Sequence, residues 1–432
     1  MNVDIWGIPA LGSEAGMPEA KQRRARELAT RRAVAQDPPL TLAHYAAAAQ
    51  QTDRFADKAK GIDKLRFGFF GEIGGLLSAV KKVNRDQLGE TETEVAGEEI
   101  GDALWYLFSV AHSLNVAPER LGLETLRILR ERFAESEQDP DGDITFRQLD
   151  SLVALHDQGL EAQRIERLGE LARTSGELLT IKVDAQLELI APHPTARLGE
   201  LLALLAIVSS SFCIRLEDVA HDNLIKIHGR WPGDNRSYIN LFDGEYLGHE
   251  QIPRVLAIEF IERGDALVGH VVQRLNGVFI GDRLTDNSNE PDDYRFHDVF
   301  HLAYIAHLGW SPVIRGLLKY KRKSRPDVDE NEDGARAMII EEGIATWIFN
   351  HAKKHSFYED IVVGKLDYGL LKQVHSMVSG YEVDQCPLWQ WELAILEGFR
   401  IFRELREHRG GTVHVDMLAH SIRFEPPKNQ TP

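Results

Sequence analysis

Three groups of side chains in this sequence have the types and spacing to do chemistry. The first is acidic. Glu72 sits within the apolar and small-residue run Phe67–Leu77, and Glu99 and Asp102 lie three positions apart, just before the apolar run Ala103–Val110. Residues at i and i+3 share a helix face, so Glu99 and Asp102 point toward one neighbour. Carboxylates gathered on a buried face repel one another unless a cation lies between them. An all-oxygen set of this kind suits Mg²⁺ or Mn²⁺, with Glu98 as a further acid of the same set. The plainer alternative is that Glu98 and Glu99 are acids of a helix N-terminus, favoured by the macrodipole.

The second group, Asn223, Lys226 and Arg230, falls at i, i+3 and i+7, a single stripe on one helix. Cations near a helix C-terminus are also favoured by the dipole, which is the bland account of that stripe. In the third group, His297 and His301 are spaced i, i+4 in an apolar surround, with Asp298 beside them and Glu341 and Glu342 downstream. Two histidines at that spacing plus a carboxylate from another helix form a recognised metal geometry, here a second candidate site for a divalent metal. Histidines bonded into a core are the alternative.

These residues need helices to hold them. From Thr41 to Phe133 apolar residues recur at helical spacing, broken at Gly61, Asn84–Gly89 and Asn115–Pro118. Residues 1–40 read as an N-terminal arm with a basic cluster and one helical stretch, Pro18–Ala35, and 41–135 as a first helical block. The run Glu135–Asp143, with Pro140 and Gly142, is a polar linker. A second helical block spans 146–232, broken at Pro192–Pro194. A third, mostly helical unit spans 245–425, with a hairpin or irregular stretch at Val278–Asn289. The fold class is mainly α.

The first two blocks read as an internal repeat. A shift of 98 positions lays Ile100-Gly101-Asp102-Ala103-Leu104 over Leu198-Gly199-Glu200-Leu201-Leu202, and Glu119 over Glu217. Each block has an acid opening a long apolar helix, then a loop after the same number of residues.

Composition narrows the classes. The 432 residues carry 67 acidic against 50 basic side chains, a formal charge of −17, which argues against a broad nucleic-acid-binding surface. The dense basic run Lys319–Arg325 reads as a solvated charge run. An acidic protein can still bind nucleotides when a divalent metal supplies positive charge. Two cysteines, Cys213 and Cys386, give no disulfide framework, and a reducing, cytoplasmic setting is the default. No apolar run is long enough to span a bilayer; Leu201–Ile214 reads as a buried helix.

The segments Gly71-Glu72-Ile73-Gly74-Gly75-Leu76, with Lys81-Lys82 after them, and Glu99-Ile100-Gly101-Asp102-Ala103-Leu104-Trp105-Tyr106-Leu107 resemble the MazG-like, all-α nucleoside triphosphate pyrophosphohydrolases. Their signature is E-x-x-E, a spacer and E-x-x-D on two packed helices. The resemblance implies a Mg²⁺-dependent enzyme that cleaves a (d)NTP to a monophosphate and diphosphate, with Glu72, Glu99 and Asp102 as catalytic and metal-holding acids and Lys82 on the substrate. Asn223-Leu-Ile-Lys226-Ile-His-Gly-Arg230 resembles the family's terminal N-x-x-K-x-x-x-R element, implying phosphate contact from Asn223, Lys226 and Arg230.

Gly75 stands where the family has its second acid. In the second block, Thr174-Ser175-Gly176-Glu177 resembles Glu72-Ile73-Gly74-Gly75, so Glu177 is a candidate complement to the missing acid, while Glu200 replaces Asp102 and Arg197 replaces Glu99. Family members pair subunits. The chain is therefore expected to carry two tandem, complementary degenerate repeats as a pseudo-dimer, which could pair again as a homodimer. The third unit looks like the domain attached C-terminally to some MazG-like proteins, through His297–His301, Leu308–Pro312, Lys319–Lys323 and Glu341-Glu342. Two alternatives stand beside the enzyme: a nucleotide sensor controlling a metal-dependent C-terminal unit, with antiviral defence among its roles, and a helical interaction protein with acids as surface charge.

Overall fold

The computed structural model describes residues 38–55, 61–83, 92–135, 142–156, 159–180, 194–233, 236–264 and 269–427, without the side chains of 79 and 81–83. The helical stretch Pro18–Ala35, most of the arm and linker residues 136–141 lie outside the described residues. The chain forms two compact units, Met1–His228 and Gly229–Pro432.

The first unit is helical: α1 (Leu42–Thr52), α2 (Gly61–Val83), α3 (Glu92–Ser113), α4 (Pro118–Phe133), α5 (Phe146–Ala154), α6 (Arg164–Leu178), α7 (Pro194–Ser211) and α8 (Leu216–Arg230), whose last two residues, Gly229 and Arg230, belong to the second unit. Local signals set the helix starts. The Thr41 hydroxyl accepts the His44 N–H at 3.0 Å and caps α1. Thr145 and Gln148 form a reciprocal capping box that opens α5. The two starts are tied together where Leu42 N–H donates to the Ile144 carbonyl (2.9 Å) and Phe146 N–H to the Leu40 carbonyl (3.0 Å). Pro118 needs no N–H partner at the first position of α4, and Ala134 ends that helix in the left-handed conformation.

Residues from both helical blocks share one interior. Leu104, Phe108 and Leu126 of the first block are buried in the same cluster as Phe146, Leu171, Leu201 and Leu204 of the second. Tyr45 is wedged edge-on between Phe108 and Phe146, with ring centroids 5.0 and 5.4 Å away. Helix α7 is buried from Leu198 through Val208 except at the Glu200 position, as its unbroken apolar run requires. No single helix among the described residues is long and apolar enough to cross a membrane; α7 and α8 pass that test only as a pair, and they are bent by 102°.

The second unit keeps the helical majority expected of the third block and adds a sheet where only a hairpin was expected. It contains a five-stranded antiparallel sheet, in the order β3-β2-β1-β4-β5: β1 (Val255–Arg263), β2 (His270–Leu275), β3 (Val278–Leu284), β4 (Gly410–Asp416) and β5 (Ser421–Glu425). Period-two alternation explains β1 and β4: Leu256, Ile258 and Phe260 face inward, as do Val413 and Val415. Asn276-Gly277 turns β2 into β3 with φ of 50° and 82°, the positive values that a two-residue hairpin demands. The hairpin expected from Val278 onward is therefore β3 with its partner strand upstream.

Helices α9 (Asp298–Leu308), α10 (Pro312–Leu318), α11 (Pro326–Asn331), α12 (Ala335–Lys353), α13 (Tyr368–Met377) and α14 (Leu388–His408) complete the unit. Every residue of α9 is buried, between α14 and the sheet. The basic run Lys319–Arg325 is not wholly solvated. Arg322 is buried and its guanidinium is held by Asp333 (2.7 Å) and Glu382 (2.7 Å).

His307 on α9 carries a testable cost. Neither ring nitrogen has a hydrogen-bond partner among the described residues, and burial lowers its pKa to about 4, with Glu397 opposing and His420 and Arg400 assisting. A histidine depressed in the native state contributes stability above its unfolded pKa, and that stability is lost as pH falls from about 6.5 toward 4. Comparing His307→Leu with the wild type by denaturant unfolding at pH 7 and pH 4.5, the wild type should lose about 2–3 kcal/mol more than the variant.

Candidate functional site

The acids singled out in the first unit come together on two neighbouring helices. Glu72 projects from α2, and Glu98, Glu99 and Asp102 project from α3, two helices packed along each other. Glu72 and Glu99 face each other closely enough to interact, which raises the Glu72 carboxyl and lowers that of Glu99. Burial, then the Asp102 charge, then that interaction push the Glu72 carboxyl up to about 8. On balance Glu99 is raised, by burial and by the charges of Asp102 and Glu98, against the pull of Glu72 and of Lys226. The phenol of Tyr106 feels the same field: burial first, then Glu72 and Asp102, raise its pKa.

The opposite wall comes from α8. Lys226 Nζ donates to Asp102 Oδ2 at 2.5 Å and to Glu98 Oε1 at 3.2 Å, placing one ammonium against two carboxylates. Asn223 donates from Nδ2 to Asp102 Oδ1 at 3.1 Å, while its own Oδ1 accepts the Tyr45 hydroxyl at 2.7 Å. Asn223 is buried and both ends of its amide are engaged within the protein, so it orients Asp102 and does not present itself to a phosphate. Tyr45 was not singled out in the sequence; its signal would have been a tyrosine at an otherwise apolar helix position, which burial obliges to find a partner.

Gly75 has a structural use. A Cβ at that position would overlap the Glu99 carboxylate, so the glycine leaves the space in which Glu99 lies. Glu177 does not take the place of the absent acid. It is held by Arg173, one turn away on α6, and by Arg197 at 2.8 Å, and Arg197 also binds Glu200 at 2.6 Å. Arg230 is also elsewhere: its guanidinium is buried, ion-paired to Glu392 and donating to the Leu366 carbonyl at 2.9 Å. That pair and the Leu366 carbonyl take both terminal nitrogens, and the remaining Nε is buried, so the guanidinium does not face a substrate phosphate. The Lys82 side chain lies outside the described residues.

In the second unit, His297, Asp298 and His301 present ligand-type atoms that all lie within 4.8 Å of one another, and all three residues are buried. His301 Nδ1 lies 2.8 Å from Glu341 Oε1, both side chains being fully buried. Glu341 Oε2 accepts the Val313 N–H at 2.8 Å, so that carboxylate is spent on His301 and the start of α10. Glu341 therefore orients a histidine, while Glu342 Oε2 reaches toward both imidazoles, 3.7 Å from His297 Nε2 and 3.5 Å from His301 Nε2. Burial would lower the His301 pKa, but Glu341 and Glu342 hold it well above the ordinary value.

The architecture is thus a helical unit with a carboxylate and lysine cluster and a second unit with a sheet and a histidine and carboxylate cluster. Residues 237–428 match the family model described as the MazG C-terminal domain, which supports a MazG-associated protein. A 63-residue stretch is 33% identical to the Gene 37 protein of Mycobacterium phage L5, covering 14% of this chain and 55% of that protein. The chain thus spans about half the length of that curated relative. No solved structure matches it significantly.

Proposed function

We propose that the first unit is a Mg²⁺-dependent nucleoside triphosphate pyrophosphohydrolase, converting a (d)NTP and water to a (d)NMP and diphosphate. The observation that carries this reading is the convergence of Glu72, Glu98, Glu99 and Asp102 on Lys226. Four carboxylates in a partly buried space, two of them with raised pKa values, form a set whose repulsion a cation would relieve. Their donors are all oxygens, which fits a hard cation; Glu72, Glu99 and Asp102 would hold it, with Glu98 beside them. When bound, Mg²⁺ would neutralise phosphate oxygens and acidify a water.

The remaining work falls to the chain's own side chains. In its ionised form Glu72 would accept the proton of the attacking water as that water's oxygen bonds to the α-phosphorus. The bond from that phosphorus to the αβ-bridging oxygen breaks, and diphosphate leaves with the bonding pair. Lys226 offers an ammonium to the phosphate chain, and Asn223, steadied by Tyr45, fixes the Asp102 carboxylate.

The tandem-repeat reading has its own support in reciprocal contacts. A Cβ at Gly101 would meet Asn223 and Val219 of α8, and a Cβ at Gly199 would meet Glu124 and the Thr125 backbone of α4. Shifting by 98 positions converts Gly101 into Gly199 and Thr125 into Asn223. The Gly101–Asn223 and Gly199–Thr125 contacts are thus partner-exchanged copies, as two-fold symmetry between halves would produce. The position related to Lys226 is Ile128, and Arg197 with Glu200 stands where Glu99 and Asp102 do, so the second half lacks the acid and lysine constellation.

The test is a panel of NTPs and dNTPs with Mg²⁺, with separation of products. Monophosphate and diphosphate should appear, be lost in Asp102→Asn and survive His301→Ala. Nucleotide bound by wild type without turnover would overturn hydrolysis and leave a binding module.

A further inference from the structure

The histidine cluster of the second unit contains contacts that no arrangement of neutral imidazoles satisfies. His297 Nδ1 lies 2.9 Å from the Tyr294 carbonyl, which can only accept, so Nδ1 carries a proton, and in the neutral ring Nε2 then presents a lone pair. That lone pair faces Asp298 Oδ1 at 3.1 Å and Glu342 Oε2 at 3.7 Å, both acceptors when ionised. His301 repeats the pattern. Its Nδ1 is spent on Glu341, and its fully buried Nε2 has no hydrogen-bond partner among the described residues while pointing toward Glu342 Oε2 at 3.5 Å. Two imidazole lone pairs and two carboxylates thus converge on one small volume.

We propose that His297 Nε2, His301 Nε2, Asp298 and Glu342 bind a divalent transition-metal cation, of the Zn²⁺ or Mn²⁺ class. The spacing fits: ligands at about 2.0–2.1 Å around a tetrahedral ion lie roughly 3.3 Å from one another. The observed separations of 3.1, 3.5 and 3.7 Å bracket that value. The supporting shell is also in place. The Tyr294 carbonyl and the Glu341 carboxylate fix both tautomers, and Gln273 of β2 donates to Asp298 Oδ2. Mixed imidazole and carboxylate donors favour a borderline cation over Mg²⁺, which distinguishes this site from the all-oxygen cluster of the first unit. Three of the four ligands are buried, whereas the Glu342 side chain is 43% exposed, so the ion is approached from the Glu342 side.

The sequence of α9 explains the arrangement. His297 and His301 are one turn apart, and Asp298 follows His297 at the helix start, where its charge meets the dipole. Glu341 and Glu342 are consecutive on α12, so one turns inward to His301 and the next lies along the edge of the same pair. Neither carboxylate could do both.

The experiment strips the full-length protein with chelator and titrates it with Zn²⁺ by calorimetry and Co²⁺ by absorption, in millimolar Mg²⁺. Wild type should bind one equivalent of each, with visible Co²⁺ bands of a site containing nitrogen ligands. Glu342→Gln and His301→Ala should lose binding by at least 100-fold, and Glu341→Gln should weaken it by about 10–100-fold. Asp102→Asn should bind as wild type does, so the outcome is independent of hydrolysis in the first unit. Near-UV circular dichroism checks each fold; Glu342→Gln leaves the buried His301–Glu341 pair intact if His301→Ala unfolds. No stoichiometric binding by wild type, or undiminished binding by folded Glu342→Gln, overturns the proposal and leaves a protonated histidine pair.

Discussion

Glu72→Gln is expected to abolish nucleotide hydrolysis while making the metal-free protein more stable at alkaline pH. Turnover should fall on the order of 10³-fold or more, because the variant removes both a metal-holding oxygen and the proton acceptor. Stability moves the other way for an electrostatic reason. Burial, Asp102 and Glu99 raise the Glu72 carboxyl from 4.5 to about 8, so the folded protein binds a proton there that the unfolded chain has released. A raised carboxyl contributes stability that is full below about 4.5 and lost as pH rises through about 8. A glutamine has no such proton to lose. With discount for partial solvent exposure, Glu72→Gln in chelator should gain about 1–2 kcal/mol over wild type between pH 5 and pH 8.5. Diphosphate release and denaturant unfolding at the two pH values measure both halves. Glu177→Gln is the control: its partners are Arg173 and Arg197, so it should leave turnover within about two-fold. A Glu72→Gln protein that hydrolyses normally would remove the carboxylates from the reaction.

How much of this could be read in the sequence depends on whether the signal is local. Glu99 and Asp102 announce themselves because three-residue spacing on a helix fixes their common face, and Glu72 because its neighbours are apolar. Lys226 was legible as part of a stripe. The same stripe misdirected the reading of Asn223 and Arg230, since periodicity gives a face and says nothing of what covers it. Tyr45 covers Asn223, and Glu392, distant in sequence, covers Arg230. Glu177 shows the same limit. Arg173 is one turn away and visible, whereas Arg197 arrives from another helix. In the second unit the alternation of Leu256, Ile258 and Phe260 and the Asn276-Gly277 turn are legible, yet β1 and β4 pair across more than a hundred residues. β1 has β4 as its neighbour, and only the fold supplies that partner.

Replacing Arg230 decides between a phosphate contact and a structural ion pair. Arg230 and Glu392 side chains are 3% and 1% exposed. The guanidinium binds both Glu392 oxygens and the Leu366 carbonyl, and Glu392 Oε1 also accepts the Leu366 N–H at 2.8 Å. Arg230→Met removes the cation and leaves a buried carboxylate with one backbone donor. Such a loss costs about 3–5 kcal/mol, because the remaining charge keeps its desolvation penalty without its Coulombic partner. Arg230→Met/Glu392→Leu should recover most of that, since replacing a whole buried pair by apolar groups is often neutral or favourable. The apparent Km for nucleotide per folded molecule should not change in either variant. The resemblance to N-x-x-K-x-x-x-R makes the opposite prediction, a stable protein with weakened substrate binding. Urea unfolding and turnover on the same preparations separate the two: lost stability with intact Km makes Arg230 a structural group of the second unit, and leaves Lys226 as the cation of that stripe facing the carboxylates.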